Sequence, residues 1–261
     1  MHGTLGRLGL AFTVDEEAYG LGAAPAGHRL RAQRCHAARR AHVYCGADGT
    51  VGSLHLGLTG KVLYKVVVTG RMAHGFYPER GINAVEDAGR IIAALERLNI
   101  GVHPVGSGNY SILKVEGGYK EYAIVVPERC EMIITRLTVP GETRESAVAD
   151  LRALVDSLHL ASTVEITTPP PFYEPYLLDR DSRIMADFEA SYRSVLGEAP
   201  RWQPRRGIED ANIYVAEGNI PTITFGPAGV GPHEAGEYVQ VSTLEPTARV
   251  YVETAQRFLR A

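Results

Sequence analysis

An α/β fold interrupted by a smaller α+β unit is what the sequence predicts, on three observations. Between residues 58 and 165 the apolar periods run strand, helix, strands, helix, strand, the order of a ferredoxin-like split βαβ unit. On either side, over 1–57 and 166–261, short apolar strands end in glycine, proline or acidic residues, as in an α/β layer. The triplet Pro169-Pro170-Pro171 reads as a stiff linker where the chain leaves the insert. The chain has 261 residues, 45% hydrophobic and 22% charged, which is globular composition and excludes a disordered or fibrous protein. With 27 basic and 30 acidic side chains the formal charge is −3, which argues against a dedicated nucleic-acid binder. No apolar run reaches the roughly 18–20 residues of a membrane span. The opening residues Met1 to Arg7 lack the apolar stretch of a signal peptide. Cys35, Cys45 and Cys130 are widely spaced with no CxxC pair, so reduced thiols in a cytoplasmic protein are expected.

Residues 8–14 form a short apolar run closed by acids and read as a buried strand. Gly20, Gly22 and Pro25 then mark a loop. The segment 28–42, rich in Arg, His and Ala, fits neither period, and 43–57 reads as short strand and turn. The β-branched run 61–68 predicts a strong strand. Ile82, Val85, Ala88, Ile91, Ile92, Leu95 and Leu98 fall at helical spacing. Residues 110–116 and 121–126 read as strands around Gly117-Gly118, and 130–138 as another. A second helix covers 142–158, and a strand covers 162–167. Beyond the prolines, helices are predicted over 180–196, 208–217 and 242–259, with a strand at 220–225 ended by Gly226-Pro227.

Four groups carry possible chemistry. Asp15-Glu16-Glu17 closes the first strand, where α/β sheets place their sites. One carboxylate there can hold a metal while its neighbour takes a proton from water; the plainer alternative is a solvated acidic loop. His233, in the Gly/Pro-rich loop after the 220–225 strand, is either a metal-binding imidazole or an exposed loop histidine. His74 follows the strong strand in the stretch Gly70 to Pro78, flanked by the small residues Ala73 and Gly75, either to approach a ligand or to shape a turn. Arg136 lies inside an apolar strand. If buried it needs a partner, and a substrate carboxylate would suit its planar fork; otherwise it faces solvent on an edge.

In this order the segments resemble the co-catalytic zinc metallopeptidases and amidohydrolases. That family includes acetylornithine deacetylase, succinyl-diaminopimelate desuccinylase, aminoacylase and the glutamate carboxypeptidases. Five blocks carry the resemblance, over nearly the whole chain. They are Phe12 to Glu17 with Gly20 and Gly22-Ala23; Gly70 to Pro78 with Gly81-Ile82-Asn83-Ala84; Gly117-Gly118, Val126-Pro127 and Arg136 to Glu142; Gly207 to Ala211; and Gly226-Pro227 with His233 to Val239. The resemblance implies an α/β catalytic domain (1–57 and 166–261) with an inserted lid (58–165) through which the protein forms a homodimer. It implies Glu16 as general base and Glu17 and His233 as metal ligands. It also implies His74 as the group that crosses the dimer to polarise the scissile carbonyl, and Arg136 as the clamp on the substrate carboxylate. The implied reaction is hydrolysis of the amide bond in an N-acyl amino acid or small peptide, with Zn2+ or Co2+.

The sequence also departs from the family pattern. No His-x-Asp block precedes Glu16 within the chain. Where the family has a Gly-Glu-Pro-Thr-like turn holding the second metal, this chain reads Gly46-Ala47-Asp48-Gly49-Thr50, so Asp48 is one place out. Ile124 stands where the lid has an Asn. Catalytic zinc has about three protein ligands, so of the family's two ions at most one, weakly held, is expected here. The expectation is a weak hydrolase from a truncated or split gene or a start codon placed too late. A non-catalytic homologue that keeps the dimerising lid and a carboxylate pocket is the alternative, and an unrelated α/β binding protein the third.

Overall fold

The computed structural model describes residues 42–44, 53–121, 123–203, 205–230, 235–236 and 238–260. The predicted strand 8–14 and its acidic end therefore lie outside the described residues. In chain order the strands are β1 (His42–Tyr44), β2 (Ser53–Leu54), β3 (Gly57–Leu58), β4 (Gly60–Thr69), β5 (Val102–His103), β6 (Gly106–Ser107), β7 (Asn109–Gly117), β8 (Arg129–Thr138), β9 (Thr163–Thr167), β10 (Tyr176–Leu177), β11 (Arg201–Trp202), β12 (Thr222–Thr224), β13 (Gly229–Val230) and β14 (Tyr238–Val239). The helices are α1 (Ala84–Ala94), α2 (Arg144–Asp156), α3 (Arg183–Leu196), α4 (Asp210–Ala216) and α5 (Leu244–Leu259). None is long and apolar enough to cross a membrane, among the described residues.

The chain divides into two compact units, one of residues 1–58 with 176–261 and one of Thr59–Pro175. In the 59–175 unit, β7, β8, β4 and β9 form an antiparallel sheet in that spatial order. Alternation along β4 sends Val62, Tyr64, Val66 and Val68 to one face. The paired residues Arg136, Ile134, Met132 and Cys130 of β8 share that face. Ala84, Ala88 and Ile91 of α1 and Ala147, Leu151 and Val155 of α2 close the core over them. Each helix starts where a polar side chain satisfies its first free N–H groups. The Asn83 side chain accepts from the N–H of Val85 and Glu86. Thr143 and Ser146 form a reciprocal capping box on α2. Thr143→Ala is expected to cost about 1 kcal/mol, read as a lower urea midpoint.

Two expectations differ from the structure here. The predicted strand 121–126 does not join the sheet. Ile124, Val125 and Val126 instead bond the 73–75 segment, with Gly75 N–H donating to Ile124 C=O at 2.9 Å and Val126 N–H to Ala73 C=O at 2.8 Å. Pro127, which has no N–H to give to a ladder, separates this stretch from β8. The prolines at 169–171 do not leave the unit either. The chain beyond them runs back along β4, where Lys61 N–H donates to Tyr173 C=O at 2.7 Å, and the Arg144 guanidinium lies 4.1 Å from the Phe172 ring centre.

In the other unit β1 pairs parallel with β12, β2 parallel with β11, β3 antiparallel with β10, and β13 antiparallel with β14. Its core gathers Leu54, Leu58, Phe188, Tyr192, Ile223 and Phe225 with Val250 of α5. Phe225 meets Phe188, Tyr192 and Tyr251 edge-on at 5.4–5.8 Å, a favoured aromatic geometry. Helix α3 ends at Gly197, whose φ of +76° suits a residue without Cβ.

Candidate active site

Glu16, Glu17, Asp48 and His233 lie outside the described residues. What the structure provides is the frame from which two of these segments depart. Because β1 and β12 are parallel and Tyr44 is level with Thr224, the chain leaves both strands at the same edge. Asp48 follows four residues after Tyr44 in sequence. In sequence His233 falls between β13 and β14, which pair antiparallel with Val230 level with Tyr238. Carboxyl edges of parallel strands are where α/β proteins place ligands.

That edge also carries a buried polar cluster. The Thr224 hydroxyl donates to Glu209 Oε2 at 2.8 Å, and Arg205 pairs with the other oxygen of the same carboxylate. Glu209 is 7% exposed and begins α4, its own N–H donating to Asn212 Oδ1 at 2.9 Å. The Tyr176 phenol is pushed up first by burial and then by the Glu209 charge, while its bond with Thr224 pulls the other way. A buried carboxylate needs such partners, and here they tie the start of α4 to the end of β12. The sequence blocks included Glu209 without giving it a role. The signal for it was present, an Arg four residues before an acid at a helix start.

His74 lies on the exposed loop after β4, between Phe76 (ring centres 5.3 Å apart) and Tyr77 (5.9 Å). Gly70 lets this loop press against the 82–84 turn: a Cβ there would sit 2.1 Å from the Ile82 carbonyl oxygen. The Phe76 N–H donates to His74 Nδ1 at 3.2 Å. With Nδ1 accepting, the neutral ring carries its proton on Nε2 and offers it as a donor.

Arg136 is placed otherwise than expected. Its side chain is fully buried on the helix-facing side of β8. One terminal nitrogen donates to Glu142 Oε1 at 2.7 Å, to Asp150 Oδ2 at 3.0 Å and to the Asn99 carbonyl at 3.0 Å. The other reaches Asp150 Oδ2 at 3.0 Å and the Ala147 carbonyl at 3.4 Å. A substrate carboxylate therefore finds neither an open face nor free terminal donors. The alternation of β8 explains why: Cys130, Met132, Ile134, Arg136 and Thr138 all point inward, so the arginine must be paired within the fold.

Beside it, the buried Tyr64 hydroxyl donates to the Ala147 carbonyl at 3.0 Å. Burial pushes this phenol from 10.0 up to about 12, against the pull of the Arg136 guanidinium. The folded state thus holds the proton more tightly than the unfolded chain. This contribution is whole below pH about 10 and is lost as pH climbs towards about 12. Urea unfolding across that range is expected to show a shallower fall for Tyr64→Phe than for the wild type.

Among the described residues no three His, Cys, Asp or Glu side chains are grouped so as to hold a metal ion. The donor types at Glu16, Glu17, Asp48 and His233, carboxylate and imidazole, suit a divalent cation such as zinc or cobalt.

A family model described as Peptidase family M20/M25/M40 matches residues 2–257. Among curated proteins, the chain is 24% identical over 258 residues to succinyl-diaminopimelate desuccinylase 2 of Shewanella loihica, covering 94% of this chain and 66% of that protein. It is 24% identical over 208 residues to succinyl-diaminopimelate desuccinylase of a Sulfurovum species, covering 79% and 55%. The chain thus spans between about half and two thirds of these relatives' length. Among solved structures, aminopeptidase PepT from Bacillus cereus superposes with a TM-score of 0.72 at 20% identity, covering 94% of this chain and 62% of that one. The dipeptidase Dug1p from Saccharomyces cerevisiae gives 0.63 at 14%, covering 95% and 64%. At these identities the structural likeness is one of fold.

Proposed function

The chain belongs to peptidase family M20/M25/M40, and on that premise we propose that it hydrolyses the amide bond of N-acyl amino acids or small peptides with the help of a divalent metal. The family match from residue 2 to 257 carries this reading. The acid pair, the lid histidine and the C-terminal histidine follow in the family's order. Glu17 and His233 would hold the metal, with Asp48 the remaining candidate. When bound, the ion supplies Lewis acidity to the amide carbonyl and to water.

The chain's own residues do the rest. Glu16 takes the proton from the attacking water and returns it to the leaving amine. His74 of the partner subunit donates from Nε2 to the carbonyl oxygen as negative charge develops there. This division of labour requires a homodimer formed through the 59–175 unit, which acts as a lid. A cytoplasmic location belongs to the same proposal. Turnover by this chain is expected to be low, because one ion would have only Glu17 and His233 where about three protein ligands are usual, and a second would have at most Asp48.

Hydrolysis of N-acetyl amino acids and dipeptides, assayed with added zinc or cobalt and with metal content and oligomeric state measured alongside, tests the proposal. Metal-stimulated turnover by a dimer is the expected result. A metal-free dimer with no turnover would match the non-catalytic alternative and overturn this one.

A further inference from the structure

Helix α5 carries an exposed apolar stripe, and we propose that a second copy of this chain covers it, helix against antiparallel helix. The inference is independent of the hydrolase reading and of a dimer through the 59–175 unit, because every residue in it belongs to the other unit. Thr247, Val250 and Thr254 are the buried residues of α5. Leu244, Ala248 and Val252, four residues apart, share a different side and face solvent, Leu244 being 47% and Val252 57% exposed. Ala255 and Leu259, half-buried, continue the stripe. Apolar residues recurring every three or four positions form the seam against which a second helix packs.

A shallow groove of about 590 Å³ follows this side of the helix, lined by Glu245, Ala248, Arg249, Val252, Gln256 and Arg260 among others. The charges in it choose the orientation. A parallel copy would set Glu245, Arg249 and Arg260 each against its own like charge, which is repulsive. An antiparallel copy with its two-fold axis at Val252 removes that conflict. Val252 then meets its own counterpart, Ala248 comes level with the partner's Gln256, and Glu245 lies within one residue of the level of the partner's Arg260. Arg260 is exposed and has no ion pair among the described residues, while Glu245 holds only the exposed Arg249, at 3.7 Å. The two-fold repeats every contact, and it lays the positive end of each helix dipole beside the negative end of the other. Exposed ion pairs contribute little affinity. Burial of the apolar stripe supplies it, and the charges fix direction and register.

Cysteine cross-linking and sedimentation of the full 261-residue chain test the assignment. Under mild oxidation Val252→Cys should form a covalent dimer beyond the level given by the wild type's own three cysteines. Glu245→Cys should not, because seven residues from the axis on each helix separate the two thiols by about 21 Å along it. In a dilution series the wild type should show a concentration-dependent association step that Val252→Glu lacks. Arg260→Glu should weaken that step by at least about tenfold, as a like-charge contact does, and Glu245→Arg combined with Arg260→Glu should restore most of it. Unchanged melting of dilute Val252→Glu, expected for an exposed side chain, separates the effect from misfolding. Three results overturn the proposal: no added cross-link from Val252→Cys, equal cross-linking from Glu245→Cys, or association that Val252→Glu leaves intact. A dimer that survives Val252→Glu belongs to another face, such as one on the 59–175 unit. Loss of hydrolysis with the α5 step still present would sink the hydrolase reading and leave this inference standing.

Discussion

Arg136→Ala is expected to destabilise the protein by about 3 kcal/mol, the lower end of the range for breaking a buried ion pair. The substitution removes the donors to Glu142, Asp150, Asn99 and Ala147 together. It strands two carboxylates inside the 59–175 unit. The lower end applies because Glu142 and Asp150 keep side-chain exposures of 18% and 40%, so water can rejoin them once the cation is gone. Arg136→Lys should recover only part of the loss, since an ammonium cannot serve both acids with a planar fork. Urea unfolding followed by circular dichroism measures this. A change below about 1 kcal/mol, the size of an ordinary surface or hydrogen-bond effect, would mean the arginine is not the tie that the geometry implies. A loss of activity on mutating Arg136 is then a folding effect before it is a substrate effect.

His74→Ala is expected to act the opposite way. In a preparation that turns over, kcat should fall about 10²- to 10³-fold, the usual cost of removing one oxyanion donor. KM should change little, because the contact is made as the transition state forms. Stability should stay within about 0.5 kcal/mol, since the ring is exposed and its one hydrogen bond accepts from a loop N–H. Steady-state kinetics beside a melting curve check both halves. An unchanged kcat would remove His74 from the mechanism, whatever its place on the surface.

These two residues also show what the sequence makes legible. The sheet of the 59–175 unit was readable because Val62, Tyr64, Val66 and Val68 alternate strictly, and α1 and α2 because their small and aliphatic residues recur at helical spacing. The exposed loop position of His74 fits the small residues Ala73 and Gly75 that flank it. The surroundings of Arg136 were harder. Its partners lie 6 and 14 residues away, on the next loop and helix, and chain periodicity carries no information about which acid folds back. The alternation through Cys130, Met132 and Ile134 would have fixed its direction, inward, had it been extended one step. Residues 121–126 misled for a related reason. Ile124, Val125 and Val126 have strand-like side chains, but Pro127 and the Gly117-Gly118 turn decide where the backbone can pair. Glu209 was visible only as part of a motif, since its contact with Thr224 joins residues 15 apart across a turn of the fold.

The pairing of Lys61 with Tyr173 has a further consequence. It sets the entrance and exit of the 59–175 stretch side by side, while β3 and β10 do the same for the strands that flank it, Leu58 level with Tyr176. A polypeptide whose two ends meet is portable: it can be cut out, closed on itself or spliced into another host without opening a gap in either. The neck at 57–61 and 173–177 is therefore the natural seam for a modular exchange, and a short bridge from Leu58 to Tyr176 is where a cassette-free version of the protein would be joined.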